Sequence, residues 1–269
     1  MSPQKHIITL FMLAIFNLAD TNGSFASVTD NQQRTGEQVM KELEARDTGW
    51  GSATVELSMT LKNARGDESK RLLNVKFLEV EQDGDKTLTL FKAPKDIRNA
   101  AFLSYSHAIE PDDQWIYMPS FRRVKRISSA NKSGPFMGSE LAYEDISSFE
   151  LAKYDYTYLS QESYQGIDCF IVALVPRYEY SGYSKIQYWV DKERYIPLKI
   201  EYFDRSQALL KTQVFSEYQQ YKDQYWRPVH AQIDNHQTKR TTLLNWGSFD
   251  FDTKLGETDF SRISLTRNR

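Results

Sequence analysis

The chain has 269 residues, with 34 Lys and Arg against 36 Asp and Glu, for a formal charge of −2. That balance argues against a nucleic-acid-binding protein, whose basic footprint shows in the total, and a single cysteine excludes an internal disulfide. Aromatic residues make up 13%, including 16 Tyr, a composition that suits strands, with the ring on the sheet and the hydroxyl at the water.

Residues 1–26 read as an export signal. Lys5 and His6 give a weakly positive start, Ile7 to Ala19 is apolar apart from Thr9 and Asn17, and Ser24-Phe25-Ala26 supplies small residues for cleavage near Ala26. The apolar run is too short to span a bilayer, and no Cys follows the cut, so the expectation is a soluble periplasmic protein rather than a lipoprotein. Residues 27–269 are expected to form one domain. From Asn31 to Arg46, Val39, Met40 and Leu43 fall at helical spacing in a polar stretch, which predicts one amphipathic helix.

After Thr48-Gly49-Trp50-Gly51 the pattern changes to period two. Val55, Leu57, Met59 and Leu61 alternate with polar residues, and Leu73, Val75 and Phe77 do so in the next strand. Asp83-Gly84 turns the chain into Thr87–Phe91, and Ala101–Tyr105 follows. A strand at Trp115–Met118 stops at Pro119 and resumes over Arg123–Ile127 before a Ser/Asn/Gly/Pro loop. Phe136 and Met137 sit in that loop, between Gly134-Pro135 and Gly138, where no sheet face holds them. They read as a gate over an apolar ligand. Ser139–Ser147 has the cap and acidic first turns of a short helix.

Strands then follow at Asp155–Leu159, Cys169–Val175, Ser184–Asp191, Ile196–Phe203, Leu209–Tyr218, Arg227–Asn235 and Thr241–Trp246, with a short helical closure over Thr258–Leu265. The fold class is therefore mainly β: about eleven antiparallel strands in one strongly curved, incomplete barrel, with a few short helices as plug or lid. Cys169, within a core-like strand, reads as a buried structural thiol.

The blocks Trp115-Ile116-Tyr117-Met118-Pro119, Arg123-Val124-Lys125-Arg126-Ile127, Phe136-Met137-Gly138-Ser139 and Tyr143-Glu144-Asp145 resemble those of the LolA-like outer-membrane lipoprotein-sorting proteins, over a stretch from roughly Trp50 to the end. The resemblance implies an open barrel holding acyl chains of a lipid or lipoprotein on its concave face. It also implies an inner-membrane transporter of the resistance-nodulation-division (RND) type and an outer-membrane acceptor as partners. In the well-studied carriers a buried arginine ties the lid through backbone carbonyls, and no single arginine here aligns with that role.

The expected ligand contacts are Leu57, Met59, Leu61, Leu73, Val75, Phe77, Trp115, Tyr117, Phe136 and Met137. Arg122, Arg123, Lys125 and Arg126, with Lys132 nearby, form the dense basic run and read as contacts for phosphate headgroups or an acidic partner. Alternation places Arg123 and Lys125 on one strand face and Arg122 and Arg126 on the other. Neither a cofactor nor a metal is expected. His230 and His236 lie about 20 Å apart along one strand, and Ser129-Ala130-Asn131-Lys132 matches an acyl-enzyme pattern without its companion motifs. The sequence thus predicts a monomeric non-enzymatic carrier, with an adaptor that binds no lipid as the alternative. A lipocalin-like barrel fails for want of Gly-x-Trp, and an outer-membrane barrel for want of a terminal aromatic.

Overall fold

The period-two stretches assemble into a single antiparallel sheet in the computed structural model, which describes residues 36–251 and 253–267. The expected export signal and the first residues of the expected N-terminal helix lie outside the described residues. The strands are β1 (Ser52–Lys62), β2 (Glu68–Leu78), β3 (Lys86–Ala93), β4 (Ala101–Tyr105), β5 (Asp113–Met118), β6 (Arg123–Ile127), β7 (Tyr154–Tyr164), β8 (Ile167–Pro176), β9 (Tyr183–Asp191), β10 (Pro197–Asp204), β11 (Leu209–Tyr221), β12 (Tyr225–Asn235) and β13 (Thr241–Trp246). The described residues form thirteen strands where about eleven were expected, one for each stretch of strand pattern named from the sequence; the turn at 119–122 joins β5 and β6, which pair from Gln114↔Ile127 to Met118↔Arg123.

The spatial order is β6-β5-β4-β3-β2-β1-β13-β12-β11-β10-β9-β8-β7. The first and last strands therefore meet in the middle, with Leu57 opposite Trp246 and Lys62 opposite Thr241. The edges β6 and β7 do not pair, so the curved sheet stays open. Because every connection within each half is a hairpin, the turns fall on two rims. Turns 63–67, 94–100, 119–122, 177–182, 205–208 and 236–240 share one rim. Turns 79–85, 106–112, 165–166, 192–196 and 222–224 share the other.

Three pieces cover the sheet. Helix α1 (residues 36–45) buries Val39 and Met40 against Tyr156, Val172 and Leu174; burying a side chain such as Met40 fully contributes about 2 kcal/mol. Gly36 lets this helix approach the β7 backbone, since a Cβ there would stand 2.8 Å from the Tyr158 amide nitrogen. Residues 128–153 cross from β6 to β7 as a plug under the sheet. The expected helix Ser139–Ser147 is only a 3-10 turn, Tyr143–Ile146, because the Ser139 hydroxyl bonds the Phe136 carbonyl at 2.7 Å instead of capping a helix. The C-terminal closure, a 3-10 turn Glu257–Phe260 followed by α2 (Ser264–Arg267), lies on the outer face, where Phe260 and Leu265 bury Leu88, Leu90 and Leu103.

Candidate functional site

Inside the curve, one rim is filled and the other is hollow. At the filled rim Phe136, 2% exposed, packs against Phe91, Phe102 and Tyr143 with ring centroids 6.0, 5.1 and 5.6 Å away. Val55, Leu57, Met59, Leu73 and Val75 belong to the same close-packed cluster. Towards the other rim the cluster thins out into a half-open cavity of about 1380 Å³, larger than the roughly 300–1,000 Å³ usual for small-molecule pockets.

Its apolar wall comes from every side of the curve: Leu43 of α1, Phe77 of β2, Phe149 and Leu151 at the end of the plug, Phe215 and Tyr218 of β11, Trp226 of β12 and Trp246 of β13. Phe249 stacks on Phe77 at 6.3 Å and meets Tyr221 at 5.8 Å, extending the aromatic surface beyond β13. The pairing of β1 with β13 brings Trp246 to the strand that carries Ala53, so residues from the two ends of the sheet's sequence share one wall.

Polar groups ring the mouth unevenly, with eight carboxylates and three guanidiniums among the lining residues. Most are tied. Glu79 accepts the amides of Gly49 and Gly51 at 2.6 and 2.8 Å, fixing the link from α1 to β1, and Arg227 pairs with Asp47. Asp83 accepts the Ala108 amide at 2.9 Å and lies 2.6 Å from the His107 ring. Asp85 and Glu150 make no ion pair with the described residues. Burial pushes Asp85 up to about 6, with Glu79 adding to it, and Glu150 up to about 7, with the Asp85 charge adding to it. An apolar tail fits this cavity, whereas an anionic headgroup at its mouth would meet like charge.

Of the ten residues expected to line an apolar cavity, Phe77 does so. Leu57, Met59, Leu73, Val75 and Phe136 are core residues behind the cavity, and Leu61 and Met137 pack partly buried at the edge of that core. Trp115 and Tyr117 need correction. The inward positions of β5 are Ile116 and Met118, so Trp115 and Tyr117 point to the outer face, against Phe260 and Leu265. The basic run is corrected in one respect: Arg122 has φ 50 and sits in the β5–β6 turn, while Arg126, opposite Trp115, pairs with Asp113. Lys132 is buried and donates to the Asp112 carbonyl at 2.5 Å. His230 bonds Asn245 and His236 bonds Thr212, and Cys169 is fully buried. The aromatic residues of β11 to β13 escaped the sequence reading because their strands were legible but their convergence was not.

The plug is held by cations from three strands or their ends. Arg71 donates to the Met137 carbonyl; Arg240 donates to the Gly138 carbonyl at 2.8 Å and to Glu140 at 3.1 Å; Lys211 donates to the Glu140 carbonyl at 2.8 Å and pairs with Asp145. The Tyr143-Glu144-Asp145 block ties the plug to the second half of the sheet. Glu144 accepts from Tyr178, Ser181 and the Gly182 amide, and Asp145 accepts from Tyr183 at 2.7 Å.

The crystal structure of a putative outer membrane lipoprotein-sorting protein domain from Vibrio parahaemolyticus superposes with a TM-score of 0.86 at 50% identity, over 87% of this chain and 100% of that one. The chain belongs to the family of that lipoprotein-sorting domain. The LolA-like fold extends to more distant structures: a DUF1329 family protein from Desulfovibrio piger (TM-score 0.83, 24% identity, 87% of this chain and 99% of that one) and a LolA superfamily protein from Nitrosomonas europaea (0.69, 19%, 85% and 98%). A family model described only as an uncharacterized protein matches residues 83–267, and no curated protein matches. In this LolA-like fold the plug carbonyls of Met137, Gly138 and Glu140 are held by Arg71, Arg240 and Lys211.

Proposed function

We propose that this chain is a non-catalytic periplasmic carrier that shelters the acyl chains of a lipid or lipoprotein, receiving them from an inner-membrane RND-type transporter and passing them towards an outer-membrane acceptor. Residues 1–26 act as its export signal, residues 27–269 form the single lipid-binding domain, and the protein works as a monomer. The observation that supports this most is the aromatic-walled cavity of about 1380 Å³ open at one rim of a LolA-like sheet. Burial contributes about 0.8 kcal/mol per CH₂, so one long acyl chain supplies on the order of 10 kcal/mol before ordering costs. Phe77, Phe215 and Trp246 make first contact. Leu57, Leu61, Met59, Leu73, Val75, Phe136 and Met137 come into reach of longer chains when the plug shifts.

Native mass spectrometry of the protein purified from periplasm tests the reading. Wild type carries acyl-containing adducts, and Phe215→Asp, which places a charge on the cavity wall, loses them while keeping its thermal unfolding transition. A wild-type protein free of lipid mass, even after incubation with vesicles, would leave the adaptor role instead.

A further inference from the structure

The two rims carry opposite charge. The six turns of the plug rim contain Arg65, Lys95, Arg98, Arg122, Arg177, Arg205, Lys239 and Arg240 against three carboxylates, Asp67, Asp96 and Glu179; Arg65, Arg177 and Arg240 are paired with Asp67, Asp155 and Glu140, which leaves Lys95, Arg98, Arg122, Arg205 and Lys239 without an ion pair among the described residues. The five turns of the mouth rim hold eight carboxylates against Lys192, Arg194 and Lys222; one of the eight, Asp112, is buried on Lys132 and Lys153 of the plug, which leaves seven at the surface. A formal charge of −2 conceals this separation.

The charge at the plug rim is accompanied by an unburied aromatic ring. Phe121, at the tip of the β5–β6 turn, is 73% exposed, and Val124 beside it on the edge strand is 39% exposed. Arg122, Arg123 and Lys125 flank this tip, and among the described residues they make no ion pair and no strand pairs with the outer edge of β6. Packing gives Phe121 no role. A turn that needed only to be soluble would place a polar residue there.

We propose that the plug rim docks on an anionic bilayer, with the cationic turns on the phosphates and Phe121 inserted at headgroup level. The shape favours a bilayer over an acidic protein. The cations are spread along an entire rim, matching an extended sheet of charge, where an acidic protein would meet a compact cluster. Each unpaired Lys or Arg near an anionic surface adds to the attraction, and the ring adds an apolar contact to it. The acidic mouth is repelled by the same surface, so docking has one orientation, mouth outward. This inference goes beyond the carrier reading and does not depend on the cavity being filled.

Vesicle flotation tests it, with phosphatidylcholine vesicles and with phosphatidylcholine containing phosphatidylglycerol. The wild type floats with the anionic vesicles only, and salt releases it. R122E/R123E lowers the partition coefficient at least about tenfold. Phe121→Ser weakens it, and Phe121→Trp, in a position open to solvent, shows a blue-shifted emission with anionic vesicles. All these positions are exposed, so unchanged melting confirms that the variants fold. Phe215→Asp, with its cavity spoiled, still floats, which separates docking from cargo uptake. Equal flotation of wild type and R122E/R123E, or no emission shift from Trp at position 121, overturns the proposal; so does a tip that binds an acidic protein and no vesicle.

Discussion

Lys211 and Asp145 are both about 4% exposed, and the ammonium also lies 5.2 and 4.7 Å from the Tyr183 and Tyr202 rings. Two desolvated charges stabilise little as a pair, yet either one alone is costly, so Lys211→Met should destabilise by about 3 kcal/mol. Urea unfolding should show it as a lower midpoint, with part of the loss recovered in K211M/D145L. At the mouth, Asp85 and Glu150 bind protons more tightly in the folded chain than in the unfolded one, whose values lie near 3.8 and 4.5. The stability that this protonation provides is complete below those values and disappears as pH rises through about 6 and about 7. Melting temperature should therefore fall between about pH 5 and about pH 8, and D85N/E150Q should flatten that slope. Neither pair was visible in the sequence, because nothing local to Lys211 or Glu150 announces a partner more than sixty residues away.

The plug is the element on which sequence and structure differ most. Apolar residues in a Gly/Pro loop suggested a gate, and Phe136 does face the interior, but as a core side chain on Phe91 and Phe102. The expected helix at Ser139–Ser147 gives way to a 3-10 turn: Lys211 takes the Glu140 carbonyl, which a helix would use internally, and Arg71 and Arg240 hold the Met137 and Gly138 carbonyls just before it. R71Q/R240Q should therefore speed amide hydrogen exchange in residues 136–142 at least about tenfold, the effect of roughly 1.5 kcal/mol in local opening. Exchange in β8 and β9 should stay unchanged. Strands were far more legible than the plug. Period-two alternation fixes which residues share a face, and β4, β6 and β13 occupy the ranges it predicts. What alternation leaves open is which face is the inner one, and for Trp115 and Tyr117 only the covering C-terminal segment decides it.

At the scale of the molecule, curvature and openness followed from too many strands for too few helices, while the cavity did not. Its wall gathers strand ends and turns from α1 to Phe249, and that gathering depends on the pairing of β1 with β13, which no short stretch encodes. The same pairing has a consequence for a chain severed in the plug, for instance at an engineered protease site near Ser133. The N-terminal fragment would keep β1 to β6 but leave its helix α1 on β7 and β8; the C-terminal fragment would keep β7 to β13 but leave its tail on β3 and β4. Each piece thus embraces the other, and the β1–β13 ladder locks the embrace. Such a nicked protein should migrate as one species on a sizing column and melt in a single transition. Two separating halves would mean that the continuous backbone across the plug, rather than the interlock, keeps the molecule whole.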